Sequence, residues 1–141
     1  MPQPIHVVSS QIDLSQRFQV YKTVDASPSA NAETTIATLT LSGFSDMAVI
    51  SGIQVSGWAA LTVGTSGASV RLRIRQTNAS GSTIADTGAL TGGISAGNLV
   101  AQDVEGFDSG AGVGVYVLTL TIGSGAAAST VSALLLRATI I

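Results

Sequence analysis

Apolar and polar residues alternate along most of this chain, and the alternation predicts β-strands. Successive side chains of an extended strand point to opposite faces, so a period of two places the apolar residues on one face. Val, Ile and Thr dominate these segments, as is typical of strands, and no window shows a sustained helical period with capping residues. The predicted strands are residues 17–24, 35–42, 48–63, 70–77, 82–90, 99–107, 114–123 and 129–141.

About eight strands at even spacing predict an all-β protein, an antiparallel β-sandwich of the jelly-roll type. The fourth and fifth strands are joined by the turn Asn-Ala-Ser-Gly at 78–81, which predicts a hairpin. The last strand is apolar on both faces at Leu134, Leu135 and Leu136, so we expect it to be central or covered by a neighbour.

Residues 1–16 show no clear period and contain Pro2 and Pro4, so they are predicted to form an extended N-terminal arm. Residues 17–141 are predicted to form a single β-sandwich domain, with the small, polar segment 25–35 as a loop or linker inside it. The arm nevertheless carries apolar residues suited to strand addition or groove docking on a neighbouring subunit or particle. These residues are Ile5, Val7, Val8, Ile12 and Leu14.

The composition indicates that part of the surface is covered in an assembly. Charged residues make up 10% of the 141 residues, where soluble proteins average about 25%, and hydrophobic residues make up 45%. A net charge of −2 argues against a general affinity for nucleic acid or anionic membranes. Cysteine is absent, which excludes disulfides and thiol chemistry, and the N-terminus does not resemble a signal peptide. We therefore expect a homo-oligomer with no nucleic-acid or membrane partner.

Catalytic motifs are weak in this chain. The segment 93–97 matches the G-x-S-x-G nucleophile elbow around Ser95, but the sole histidine is His6, far upstream, and no helix follows. Asp103 and Glu105 alternate on one strand face, and two carboxylates can serve glycoside hydrolysis, which usually needs an aromatic cleft as well. Most of the six aromatic residues lie in strand patterns that place them in the core. No catalytic residue, metal or cofactor is predicted.

Three of the six basic residues, Arg71, Arg73 and Arg75, alternate on the predicted fourth strand and form one charged stripe. Asp103 and Glu105 repeat with the same two-residue step, and the planar guanidinium suits bidentate pairing with carboxylates. In a jelly roll these two strands are expected in different sheets, so pairing across a subunit boundary is more natural than pairing within one chain. The sequence thus predicts that the stripe sets register in an assembly, which Arg73→Glu would weaken. The alternative is a solvated outer face of a sheet, where the same change would have little effect.

The segments LRIRQTNASGSTIADTG, VYVLTLTIG and STVSALLLRATII resemble small structural proteins of bacterial viruses. They are similar in pattern to jelly-roll domains of capsid decoration proteins and tail-fibre tips. The resemblance implies a homotrimer without catalysis or cofactor. The expected function is that of a capsid decoration or cement protein, made in the host cytoplasm, located in the virion and bound to the major capsid protein or another virion protein. The alternative is a receptor- or carbohydrate-binding module of a tail fibre or spike.

Overall fold

A computed structural model describes residues 17–22, 28, 31–41, 52–91, 94–109, 114–123 and 129–140 of the chain. Within these residues every regular element is a β-strand. The eight strands are β1 (Arg17–Lys22), β2 (Glu33–Thr40), β3 (Ile53–Thr62), β4 (Ser69–Gln76), β5 (Thr83–Asp86), β6 (Leu99–Asp108), β7 (Val115–Gly123) and β8 (Thr130–Ile140).

The strands form two four-stranded antiparallel sheets packed face to face, which confirms the predicted β-sandwich. Sheet A has the order β1-β8-β3-β6, and sheet B has the order β2-β7-β4-β5. Pairing is nested along the chain: β1 pairs with β8, β2 with β7, β3 with β6 and β4 with β5. The chain therefore crosses from one sheet to the other at almost every connection, and the hairpin β4–β5 is the innermost pair.

The core lies between the sheets and consists of the apolar faces predicted from the alternation. On β4 the side chains of Val70, Leu72 and Ile74 are fully buried, whereas the three intervening arginines face outwards. On β7, the neighbouring strand of the same sheet, Leu118 and Leu120 are equally buried and lie beside Ile74 and Leu72. Burial of aliphatic side chains is the main stabilising contribution in such a sandwich.

Strand β8 lies between β1 and β3, as its apolar sequence on both faces predicted. Strand β2 begins at Glu33, two residues before the predicted start, so part of the expected linker is strand. Gly57 of β3 lies in regular register with Val104 and Leu136. Its role is close packing: a Cβ atom there would lie 2.6 Å from Leu118 Cδ1.

The predicted hairpin is confirmed, since β4 and β5 pair on either side of the turn at 78–81. The amide of Gly81 donates to the Asn78 carbonyl at 2.9 Å, and the amide of Ser80 donates to Asn78 Oδ1 at 2.8 Å. The loop before β6 carries Ser95, whose carbonyl accepts a hydrogen bond from the Asn98 amide. A turn that leads into a strand differs from the strand-to-helix turn that a nucleophile elbow requires.

One buried polar cluster lies at an end of the core. Tyr116 is fully buried, and its hydroxyl donates to Asp108 Oδ2 at 2.7 Å, while Gln76 Nε2 donates to the same oxygen at 2.9 Å. Burial, together with the hydrogen bond and charge of Asp108, raises the pKa of Tyr116 far above its ordinary value. The cluster ties β4, β6 and β7 together, because each contributes one member.

Candidate functional site

The arginine stripe (Arg71, Arg73 and Arg75) runs along β4 on the outer face of sheet B. The side chain of Arg71 is 38% exposed, whereas those of Arg73 and Arg75 are each 17% exposed. The stripe is therefore partly buried, since the side chains of Arg73 and Arg75 have little contact with water. The residues that cover it come from the same sheet.

Asp86 on β5 holds the first half of the stripe. Arg71 donates to both carboxylate oxygens, from Nε to Oδ1 at 2.8 Å and from Nη2 to Oδ2. Arg73 Nε donates to Oδ2 at 3.1 Å, and the Gly88 amide donates to Oδ1 at 2.8 Å. A two-pronged guanidinium–carboxylate contact is among the stronger and more directional hydrogen-bonded pairs.

Glu33 at the start of β2 holds the second half. Arg75 donates from Nε to Oε1 at 2.6 Å and from Nη2 to Oε2 at 2.9 Å, and Arg73 Nη1 donates to Oε2 at 2.8 Å. The hydroxyl of Thr119, on the intervening strand β7, donates to Oε1 at 2.6 Å. Arg73 thus bridges Glu33 and Asp86, and one continuous network crosses all four strands of sheet B.

This network changes the interpretation of the stripe. As expected, β4 and β6 lie in different sheets, so Asp103 and Glu105 are on the opposite side of the sandwich from the arginines. The carboxylates that pair with the arginines are instead Glu33 and Asp86 of the same chain. Arginine is long enough to reach across β7 to Glu33, so each guanidinium finds an acid within its own sheet. Contact of the stripe with another subunit stays a prediction.

The network sets the protonation of its two acids. Burial acts to raise the pKa of Glu33, but hydrogen bonds from Arg75 and Thr119 and the charges of Arg75 and Arg73 outweigh it, so the pKa lies below the ordinary 4.5. The hydrogen bonds from Arg71 hold the pKa of Asp86 far below its usual range, against the opposing effect of burial. Both acids are therefore fully ionised at neutral pH.

Acid is expected to destabilise the protein through this network. In the unfolded chain the two acids titrate at about 3.9 to 4.3, above their folded values, so their stabilising effect is complete above about pH 5. It is lost as the pH falls through about 4 and below, where the folded protein must take up protons. The melting temperature of the wild type, followed by circular dichroism, should fall over this range. Glu33→Gln should be less stable at pH 7 and lose less on acidification; equal acid losses in both proteins would contradict the role of Glu33.

A second candidate site lies on the outer face of sheet A. Trp58, on the central strand β3, is 39% exposed, and it lies between Asp103 of β6 and Leu135 of β8 in the pairing register. An indole held partly exposed in the middle of a sheet is available for contact with another molecule. It is the sole tryptophan of the chain.

The next row of the same face carries opposite charges on its two sides. Ser56 of β3 lies between Glu105 of β6 and Arg137 of β8. Because serine is small, a depression of about 220 Å³ forms there; its lining is Ser56, Gly57, Trp58, Asp103, Val104, Glu105, Leu135 and Arg137. Gln54 Nε2 donates to Glu105 Oε1 at 2.6 Å, which orients the carboxylate.

Part of each site was predicted from the sequence. Asp103 and Glu105 were predicted to pair with the arginine stripe across a subunit boundary, which stays a prediction; within one chain they lie on the same face as Trp58 and Arg137. Glu33 was not predicted, because it was included in the predicted linker. The arm residues Ile5, Val7, Val8, Ile12 and Leu14 lie outside the described residues. A hairpin register counted from the turn at 78–81 could have found Asp86 opposite Arg73.

The described residues contain no group of three or more His, Cys, Asp or Glu side chains placed to hold a metal ion. They also include no helix with the length and hydropathy needed to cross a membrane.

No protein-family model matches the chain, and no curated protein matches it in sequence. Among solved structures, a chain in the structure of infectious bursal disease virus Gx strain is similar, with a TM-score of 0.59 and 13% identity over 89% of this chain. The alignment spans 32% of that viral chain, so this protein matches about a third of its length. A chain from the disulfide-linked pili of Bacillus endospore appendages aligns with a TM-score of 0.45 and 16% identity over 90% of both chains. The viral match shows a shared β-sandwich fold.

Proposed function

We propose that this chain is a non-enzymatic structural protein of a virion, a decoration or cement protein that binds a capsid surface. The observation that carries the proposal is the nested pairing of eight strands in two sheets, together with the likeness of this sandwich to a domain-sized part of a chain from a virus structure. We interpret the nested pairing as a jelly roll, an architecture recurrent in viral capsids and also in lectins. Fold alone does not set function, so the surfaces must carry the rest of the argument.

The surfaces favour assembly over catalysis. On sheet B three arginines and two carboxylates are joined in one network of ion pairs. On sheet A an aromatic side chain is exposed beside charges that have no ion-pair partner among the described residues, as in many protein interfaces. The proposal therefore includes a homo-oligomer, for which the sequence resemblance implies a trimer, and attachment to the major capsid protein or another virion protein. Bacterial viruses are the proposed source, through that same resemblance.

The test is attachment to the parent particle by the arm. Deleting residues 1–16 should leave the melting temperature of the β domain nearly unchanged, since every described strand remains, and should abolish co-sedimentation with particles. The matched pair inside the full chain is Val7→Ser with Val8→Ser, expected to weaken binding, against Ser9→Ala with Ser10→Ala, expected to bind normally. Undiminished binding by the truncated protein would refute the arm's role, and loss of folding would assign the arm to the core.

A second candidate is the carbohydrate-binding module of a fibre or spike, favoured by the depression beside Trp58. Aromatic faces with a few convergent polar groups are typical of small-ligand sites, although those for drug-sized ligands are larger, about 300–1,000 Å³. Since Trp58 is the sole tryptophan, its fluorescence reports directly on this depression. A saturable emission change on titration with host-surface glycans, absent in a Glu105→Gln variant, would favour this module over the cement protein.

A further inference from the structure

The outer face of sheet A is the most apolar exposed face among the described residues. Among the described residues four large hydrophobic side chains are exposed: Trp58 at 39%, Leu90 at 42%, Leu99 at 68% and Phe107 at 51%. All but Leu90 belong to this face, because Leu99 and Phe107 mark the two ends of the outward row of β6 and Trp58 adjoins its middle. Exposed apolar residues grouped on one face indicate that another molecule binds there and covers them.

Charge on this face is divided across the central strand. Asp103 and Glu105 lie on β6, and Arg137 lies on β8, with β3 between them. Two strand spacings, about 9.6 Å, separate the backbone of the acids from the backbone of the arginine. Among the described residues neither Asp103 nor Arg137 forms a salt bridge. The face thus carries acid on one side and base on the other, both without a charged partner in the described chain.

We propose that a second copy of this chain covers the face, with Glu105 of each copy against Arg137 of the other. The inference rests on the homo-oligomer of the proposed function and gives it a two-fold contact, which forms a dimer in place of the trimer that the resemblance implies. A two-fold axis parallel to β3, in the plane between the copies, places β6 of one copy over β8 of the other and β3 over β3. An axis across the strands would place acid over acid. Charge complementarity therefore selects the first arrangement, in which the two Trp58 side chains also meet.

The size of the face suits a small, reversible contact. The three strands that overlap in this arrangement, β8, β3 and β6, are about 4.8 Å apart and about ten residues long, so they cover roughly 14 by 33 Å, or about 475 Å² on each copy. The two copies together bury about 950 Å², in the range of weak and transient protein interfaces. Trp and Arg at the centre are the residue types that most often contribute the binding free energy.

A charge-swap series tests the contact. Arg137→Glu and Glu105→Arg should each raise the dimer dissociation constant at least about 30-fold, because each places like charges face to face in both halves of the contact. The double variant, Glu105→Arg with Arg137→Glu, should restore dissociation to within a few fold of the wild type. Thr38→Glu is the control, since Thr38 is exposed on the outer face of sheet B. Sedimentation equilibrium gives the constants, and Trp58 emission should shift to shorter wavelength as the wild type associates.

The outcomes separate this contact from the broader proposal. Restoration by the double variant supports the pairing, since an unrelated ligand surface would not recover when both charges are exchanged. If neither single variant weakens the oligomer and their melting temperatures are unchanged, the contact is not on this face. The proposed homo-oligomer would then form through another surface. A wild type that stays monomeric at about 100 µM overturns both the contact and the homo-oligomer, while particle binding by the arm is measured separately.

Discussion

Replacing Arg73 by Glu should lower the free energy of unfolding by about 3 kcal/mol, measured by urea denaturation at pH 7. Arg73 joins Glu33 and Asp86, and its side chain is 17% exposed. Removal of one partner from a buried ion pair typically costs about 3–5 kcal/mol, and partial access of water reduces this toward the value for surface pairs. The new carboxylate also repels Glu33 and Asp86, the two carboxylates that Arg73 joins in the wild type. The free energy of unfolding of the variant should therefore be lower than that of the wild type, independently of any assembly.

Two further variants isolate the cause. Arg71→Glu should cost less, since Arg71 is more exposed and, among the described residues, forms an ion pair only with Asp86. Arg73→Gln removes the charge without adding repulsion and should lie between the wild type and Arg73→Glu. If Arg73→Glu kept wild-type stability while an oligomer dissociated, the stripe would be an interface as the sequence suggested, and the network described on sheet B would contribute nothing to folding.

Replacing Leu118 by Ala should cost about 2–5 kcal/mol, the range for large-to-small changes at sites that cannot collapse. Leu118 is fully buried on β7, and its Cδ1 atom occupies the space directly over Gly57 of the facing sheet. The network on sheet B and the pairing of both sheets limit how far the backbone can move into the cavity. Chemical denaturation with an unchanged slope would show that the loss belongs to the folded state.

The facing glycine provides the matched test of this packing. In the wild type, Gly57→Ala should destabilise by about 1–3 kcal/mol, since its new methyl group would lie 2.6 Å from Leu118 Cδ1. In the Leu118→Ala background the same methyl group enters the vacated space, so its cost should vanish or become a gain. A favourable coupling in the double-mutant cycle supports direct contact between the sheets at this point. Additive losses would contradict it.

The positions of the strands were predictable because each depends on local alternation alone. The pattern of β4 placed Val70, Leu72 and Ile74 in the core, and the structure has them there. The start of β2 was not predictable in the same way, because Glu33 lies in a small, polar segment whose composition resembles a loop. Its backbone becomes strand through pairing with Thr121 of β7, a contact distant in sequence.

In the candidate sites, too, local alternation predicts one part and contacts distant in sequence determine the other. Alternation places Arg71, Arg73 and Arg75 on one face and Asp103 and Glu105 on another, from local geometry that needs no partner. Which acid meets which arginine depends on the order of strands in each sheet, and strand order follows from the most favourable burial of the whole core. That order set Glu33 and Asp86 beside the stripe.

Local alternation in this chain is enough to determine the fold class, the positions of the strands and the side chains that face inwards. The reason is that the face on which a residue lies depends on its immediate neighbours in the strand. The exposure of Trp58 was beyond such reasoning, because an apolar residue on an outward position is covered or open according to what lies against that face. Long-range pairing brought Trp58 between Asp103 and Leu135 and set Arg137 across β3 from Glu105. These neighbours are far apart along the chain, so only the folded sheet determines that they share one surface.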